Sequence, residues 1–484
     1  SQIAYNEEDE DGGIWIAGAT GESHRRLTEF GRNPAWSPDG EHVAFTTSVL
    51  VDPYDARSST LWRVPVAGGD PVQLTEESAY QPAWSPSGAR IVFWGEVGGQ
   101  RDLATVAADG GEPTLLLEDE PLDWSPTWSP DGRFVYFSSD RGGSLALWRI
   151  AIDEVSGRAL GEPEFAAGGL EASAALPSFS ADGRILAFRS ETRTINPGVL
   201  PFDPETEEVG AAREMVQRTG ILRPSDVSPD GRLIALTNRG GYQQEDVFLM
   251  RSDGTELRRL TDDVARDRGA SFSPDGSQVL FHSNRGGTYG SYAVRMDGSG
   301  RTLLTDPRIG STADPEFQPG GDLLSMYVRH HGWVVASGPW PATEDTLTTI
   351  PNISMPTGEL SPRFGSAWSW SPNGRMLAGG VSDDAFSDTG VAVYEPASGE
   401  VRLVTTGPIA SSVRWLPDSR RLVYFAGNQE LAIVDLETNE RRSIPVELPY
   451  PLADESFALA PDGTAIYFGA ERIESSVWIV EQGR

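Results

Sequence analysis

Short apolar runs of alternating character recur along this chain, and each comes directly after a turn. Val43-Ala44-Phe45, Ile91-Val92-Phe93, Val135-Tyr136-Phe137, Val279-Leu280-Phe281 and Val423-Tyr424-Phe425 have the period of two that marks a half-buried strand. The turn before the first of them reads Trp36-Ser37-Pro38-Asp39-Gly40. Pro fixes φ at the first corner, Asp can bond nearby backbone, and Gly supplies the positive φ that reverses the chain. The apolar residue ahead of the turn recurs as Trp36, Trp84, Trp128, Phe179, Val227, Phe272, Phe317, Trp370, Trp415 and Leu459, ten copies spaced 44 to 53 residues apart. Turn prolines stand at Pro38, Pro86, Pro130, Pro229, Pro274, Pro319, Pro372, Pro417 and Pro461, with Ala181 substituting once. A third run comes at Leu61-Trp62-Arg63-Val64, Leu147-Trp148-Arg149-Ile150, Val247-Phe248-Leu249-Met250 and Val477-Trp478-Ile479-Val480. A fourth, weaker one closes on Arg26-Leu27-Thr28, Gln73-Leu74-Thr75, Arg259-Leu260-Thr261 or Leu303-Leu304-Thr305. Four antiparallel strands in each repeat of about 45 residues predict the blades of a β-propeller.

The expected fold is therefore all-β, with ten to eleven four-stranded blades. Propellers usually have about 4 to 8 blades, so two tandem rings are expected, with one large ring as the alternative. The division falls at 1–212 and 213–484, the second part being a six-bladed ring. Arg213-Glu214-Met215-Val216 would supply the missing fourth strand of its last blade, after strands at 457–459, 466–468 and 477–480. At the other end, Ser1-Gln2-Ile3-Ala4-Tyr5 reads like a second strand whose turn is missing, which implies that sequence precedes it. Asp140-Arg141-Gly142-Gly143, Asn238-Arg239-Gly240-Gly241 and Asn284-Arg285-Gly286-Gly287 read as Asx-opened turns.

Composition narrows the chemistry. The 484 residues include no Cys, and all 39 basic residues are Arg. Disulfides, thiolate nucleophiles, iron-sulfur clusters and lysine Schiff bases are thereby excluded. A formal charge of −32 makes nucleic acid and anionic lipid poor partners and favours cations and basic proteins. No apolar run is long enough to span a bilayer.

The Trp-Ser-Pro-Asp-Gly turns, the strands after them, the Ser283-Asn284-Arg285-Gly286-Gly287 turn and the close at 258–262 resemble the TolB-type propeller repeat, over essentially the whole chain. The run 201–206 leading to the turn at 226–231, and the ending 475–480, resemble the sensor propellers of bacterial receptor-like Ser/Thr kinases. Free-standing periplasmic or secreted TolB-like proteins are similar as well. The resemblance implies a bacterial, periplasmic or extracellular, protein-binding role, either tethered to a membrane or within a multi-subunit assembly. It supplies no catalytic residues, so a non-enzymatic binding or scaffold propeller is expected, with a protein partner or a small ligand.

The candidate site is a rim of carboxylates on the loops that leave each fourth strand: Glu29, Glu76, Glu77, Glu118, Asp119, Asp262, Asp263 and Asp306. Such a ring could dock an Arg-rich partner. Asp262, Asp263 and Asp306 could hold Ca²⁺, which takes six to eight oxygens; otherwise no cofactor is expected. A solvated acidic rim is the plainer reading of the same residues. A second acidic loop at 6–12 lacks the alternate spacing of an EF-hand. The five His are scattered, with only His330 and His331 adjacent, and on a strand these two would point to opposite faces. There is no Gly-x-Ser-x-Gly. A propeller lyase or hydrolase working through acidic side chains is the alternative, and a structural subunit docking by a propeller face is another.

Overall fold

The computed structural model describes residues 2–6, 13–48, 59–76, 78–97, 100–117, 119, 121–142, 145–168, 172–218, 220–238, 245–355, 358–362, 368–382 and 388–481. They form ten antiparallel sheets, most of four strands taken in chain order. The repeated turn is held by its own side chains. Ser37 Oγ donates to Asp39 Oδ1 (2.5 Å) and accepts from His42 N (2.9 Å), while Asp39 Oδ1 accepts from Glu41 N (2.9 Å). Gly40 sits at φ 73°, where any side chain would be strained. The same box closes at Ser129/Asp131, Ser228/Asp230 and Ser273/Asp275, so the tetrapeptide acts as a hydrogen-bonded clamp between a first and a second strand.

Two compact units result: residues 1–192 with 474–484, and residues 193–473. The second unit contains five sheets of its own and half of a sixth. Successive sheets pack through apolar clusters. Val247 and Leu249 meet Phe272 and Phe281, Ala293 meets Leu324 and Met326, and Trp333 meets Trp368 and Trp370. Val391 then meets Trp415 and Leu422, Phe425 meets Phe457 and Phe468, and Ala458 and Tyr467 meet Leu222 and Ile234. The last cluster returns to the first sheet, so within this unit the face-to-face packing closes on itself. The first unit builds on the same scheme, with Phe45 and Val64 against Ile14 and Ala44 and Leu61 against Ile91 and Phe93. Trp94, Trp124, Trp333 and Trp368, outside the repeat positions, are all buried.

One sheet departs from the expected strand order by drawing its strands from distant parts of the chain. The segments read as second and third strands of the final blade, 466–468 and 477–480, lie on one continuous strand, Ala465–Glu481. Nothing between Gly469 and Ser476 supplies a turn pair, so the strand runs through. Its neighbour is an equally long strand, Ile185–Pro201. The unit boundary falls within both strands, so each gives one part to each unit. Arg213–Glu214 is the outermost strand of this sheet, but it pairs with Gly198 and Val199 rather than with the chain's final strand.

The inner strands carry a regular defect. Pairing between first and second strands slips at Arg32/Ala35, Tyr80/Ala83, Trp124/Thr127, Ala175/Ser178, Pro224/Asp226, Arg268/Ser271 and Ala313/Glu316. Residues there adopt positive φ, including Asn33, Gln81, Ser125, Leu176 and Asp314. Such bulges re-aim the next side chain. The residue types placed just after them differ between the two units.

Candidate functional site

In the first unit the bulges converge on a cavity of about 310 Å³. Its wall is Asn33-Pro34, Gln81-Pro82-Ala83, Ser125-Pro126-Thr127 and Leu176-Pro177, with no ionisable side chain. Two polar side chains near it are spent on structure, Gln81 Oε1 accepting from Trp94 Nε1 (2.8 Å) and Ser125 Oγ from Leu176 N (3.0 Å), while Asn33 Nδ2 is buried with no hydrogen-bond partner among the described residues.

In the second unit the residue two places before the one that opens the turn is charged in three copies, Asp226, Glu316 and Arg414, with Ser271, Ser369 and Ala458 in the others. The polar side chains among them tie successive inner strands together. Asp226 Oδ2 accepts from Phe272 N (2.7 Å), Ser271 Oγ donates to Pro315 O (2.6 Å), and Glu316 Oε1 accepts from Trp370 N (3.2 Å). Ser369 Oγ donates to Val413 O (2.8 Å), and Arg414 Nη2 donates to Ser225 O (3.1 Å). Asp226, Glu316 and Arg414 each keep some water-accessible surface, although both carboxylates are enclosed deep within protein. Burial pushes the Glu316 carboxyl up to about 7; Arg414 pulls it back and Asp226 adds to the rise. Asp226 is raised as well, chiefly by burial, against the N–H of Phe272 and the charge of Arg414. The three therefore sense one another electrostatically, two acids and one guanidinium at the same repeat position. No motif marks them; the signal available in sequence is charge at a repeat position that is Ala, Thr or Ser elsewhere.

The carboxylates expected to form a rim go to arginines. Asp119 and Asp123 share Arg141 (2.9 and 2.7 Å), and Asp263 and Asp267 share Arg285 (2.8 and 2.7 Å). Each guanidinium also donates through Nε to a serine, Ser139 or Ser283, at 2.9 and 3.0 Å. It lies over an aromatic ring as well, Phe137 or Phe281. The Asx-Arg-Gly-Gly turn thus delivers an arginine that neutralises buried acids. Arg239 lies outside the described residues. Glu29 pairs with Arg26 at the surface, Glu76 is exposed, and Glu77 and Glu118 lie outside the described residues. Asp262 pairs with Arg259, Asp263 also with Arg301, and Asp306 with Arg308. Asp306 additionally caps the short helix Pro307–Ile309.

Among the described residues one group of acids has ligand atoms within 4.8 Å of one another, Asp102, Asp119 and Asp123. Asp262, Asp263 and Asp306 are not gathered in this way. Asp123 is driven up to about 7 by burial, in spite of Arg141, and Arg141 already takes up two of the three carboxylates. That donor set suits a guanidinium better than a hard cation, which needs more oxygens. His330 and His331 occupy the turn between Leu323–Val328 and Gly332–Ser337. His282 is buried, its Nδ1 accepting from Asp314 N (3.1 Å).

Comparison with known proteins agrees with the repeat. An uncharacterised protein of Agrobacterium fabrum is 32% identical over 253 residues, 42% of this chain and 82% of that one. The Tol-Pal system protein TolB of Wolinella succinogenes is 33% identical over 90 residues, 19% of this chain and 21% of the relative. Dipeptidyl-peptidase 5 of Porphyromonas gingivalis is 24% identical over 315 residues, 52% of this chain and 45% of its own. The model of the TolB beta propeller domain matches residues 16–196 and 170–384, and on that span of repeats the chain belongs to the TolB β-propeller domain family.

Proposed function

We propose that this protein is a non-enzymatic, extracytoplasmic binding propeller that takes a cationic group of a partner or small ligand at the inner wall of its second unit. The carrying observation is that the enclosed carboxyls of Asp226 and Glu316 stand at one repeat position, where Arg414 is the single cation, each influencing the others' charge. Each carboxylate spends one oxygen on a neighbouring strand's N–H and has a second to offer. When both are ionised, the wall carries two negative charges against one positive, and an ammonium or guanidinium restores the balance. The overall charge of −32 would draw such a ligand in.

The test is calorimetric titration of the full chain with a blocked arginine dipeptide at pH 6 and pH 8. Because the ionised Glu316 is the binding form, affinity should rise with pH. One carboxylate titrating near 7 gives about tenfold over that range. The Asp226→Asn/Glu316→Gln double variant should not bind. Unchanged binding by that variant would refute the assignment.

A lyase or hydrolase acting through the same carboxylates is the second reading, favoured by a Glu316 poised near 7 as a general acid would be. Turnover that disappears in Glu316→Gln would establish it. Extracytoplasmic placement rests on the family resemblance, and cell fractionation with an antibody to the chain tests it.

A further inference from the structure

The third strands of this protein obey one rule at their outer edge, and a single strand leaves the rule unfilled. In four sheets the residue before the third strand's aromatic side chain, Ile14, Leu61, Val247 or Ser291, uses both backbone groups on the fourth strand. Its N–H donates to a threonine, Thr28, Thr75, Thr261 or Thr305, at 2.9 to 3.1 Å. Its carbonyl accepts from the leucine just before that threonine, Leu27, Leu74, Leu260 or Leu304, at 2.7 to 2.8 Å. The aromatic side chain is then paired with the residue before that leucine: Trp15 with Arg26, Trp62 with Gln73, Phe248 with Arg259 and Tyr292 with Leu303. Arg26 lies over the ring of Trp15 at 5.8 Å.

Val477-Trp478-Ile479-Val480 repeats this third-strand sequence. Val480 packs inward beside Tyr136 and Phe188, and Trp478 meets the Phe188 ring at 6.5 Å. Within its sheet the strand Ala465–Glu481 neighbours Ile185–Pro201, while Leu452–Leu459 pairs only with positions up to Ala470. Among the described residues no strand covers the outer edge beyond that point. On the two faces of the same stretch, Val477, Trp478 and Ile479 are 73%, 58% and 65% exposed. Elsewhere natural sheets protect such edges.

We infer that the outer edge of residues 474–481 is a docking site for an extended segment of a partner protein reading Arg-Leu-Thr. The segment adds as a fourth strand: its Thr hydroxyl accepts from Val477 N–H, its Leu N–H donates to the Val477 carbonyl, and its Arg lies against Trp478. Glu474 and Glu481 at the two ends of the edge favour a basic segment. A second copy of this chain is a poor donor, because its own four strands of this pattern, ending at Thr28, Thr75, Thr261 and Thr305, are already paired with their third strands. This surface is separate from the inner wall of the second unit and stands whether or not that wall binds cations.

The probe is a fluorescein-labelled peptide with the sequence of residues 257–262, titrated against the full chain by anisotropy. Saturable binding is expected, weakened about tenfold in Val477→Pro, which removes the donating N–H, and about threefold or more in Trp478→Ala. A peptide with Val in place of the Thr should weaken in parallel on the unaltered protein, so the idea remains testable if Val477→Pro does not fold. Absence of binding, or equal binding by the Trp478 variant and by the Val-substituted peptide, would overturn it. So would concentration-dependent self-association that Trp478→Ala abolishes, since a second copy would then be the occupant.

Discussion

The two units use one repeat to build two different inner walls. Turn clamps, apolar interleaving and the arginine nodes at Arg141 and Arg285 recur almost atom for atom. The wall position does not: Ala35, Ala83, Thr127 and Ser178 in the first unit, none of them charged, stand where the second has Asp226, Ser271, Glu316, Ser369, Arg414 and Ala458, three of them charged. What is repeated is what any sheet needs to pack against the next. What varies lies on the inner strands, where sheet packing makes no demand, and there charge has to be explained by a ligand or by strand-to-strand ties.

The arginine nodes are the common ground of the comparison, and breaking them should have the largest effect. Arg285→Ala leaves the buried Asp267 without its counter-charge and is expected to cost about 3–5 kcal/mol. Arg141→Ala should do the same for Asp123, and differential scanning calorimetry should register both. Similar losses are expected because the nodes are equivalent; a silent variant would show that one of them is not structural.

The wall position comes next, and here the units should diverge. Asp226→Ala strips Phe272 N–H of its acceptor and should cost about 1–3 kcal/mol. Thr127→Ala at the matching place in the first unit removes no such tie and should stay within about 0.5 kcal/mol. Urea unfolding of both variants measures the contrast.

Acid titration should separate the groups by sign. The Asp39 and Asp230 carboxyls are held below the usual range, first by the hydroxyls of Ser37 and Ser228 and then by backbone N–H groups. Their stabilisation is complete above the unfolded carboxylate pKa and is lost as pH falls through the lowered one. Glu316, raised to about 7, works the other way: its contribution is fully present below about 4.5 and is lost as pH rises through 7. Glu316→Gln should therefore flatten the fall in stability between about pH 4.5 and pH 7 while leaving the loss below pH 4 intact. The smallest effect expected is that of Asp39→Asn, which keeps an acceptor in the turn and should only weaken the acid dependence; urea midpoints at pH 5 and pH 3 would detect it.

Much of this architecture is legible in the residues. Pro and Gly at fixed offsets define the turns, and the alternation after them defines the second strands, because both are local rules. The rim carboxylates are legible by the same kind of local rule, and their partners are not. An acid after Leu-Thr is visible, but the arginine that satisfies it lies about twenty residues on, as with Asp119 and Arg141 or Asp263 and Arg285. The final strand reads as two because repeats imply a hairpin wherever one apolar run succeeds another, and only the missing turn between 469 and 476 argues otherwise. Asp226, Glu316 and Arg414 show a chemical pattern only when ten copies are aligned at the wall position.

The strand shared between the units also dictates an order of events during synthesis. A ribosome delivers Ile185–Pro201, then the whole of residues 202–464, and only afterwards Ala465–Glu481. The first unit includes 474–484, so its last sheet waits with an open position while the second is made, although its residues left the exit tunnel first. Release of the nascent chain before residue 474 would leave that sheet one strand short, however well its own turns had already closed.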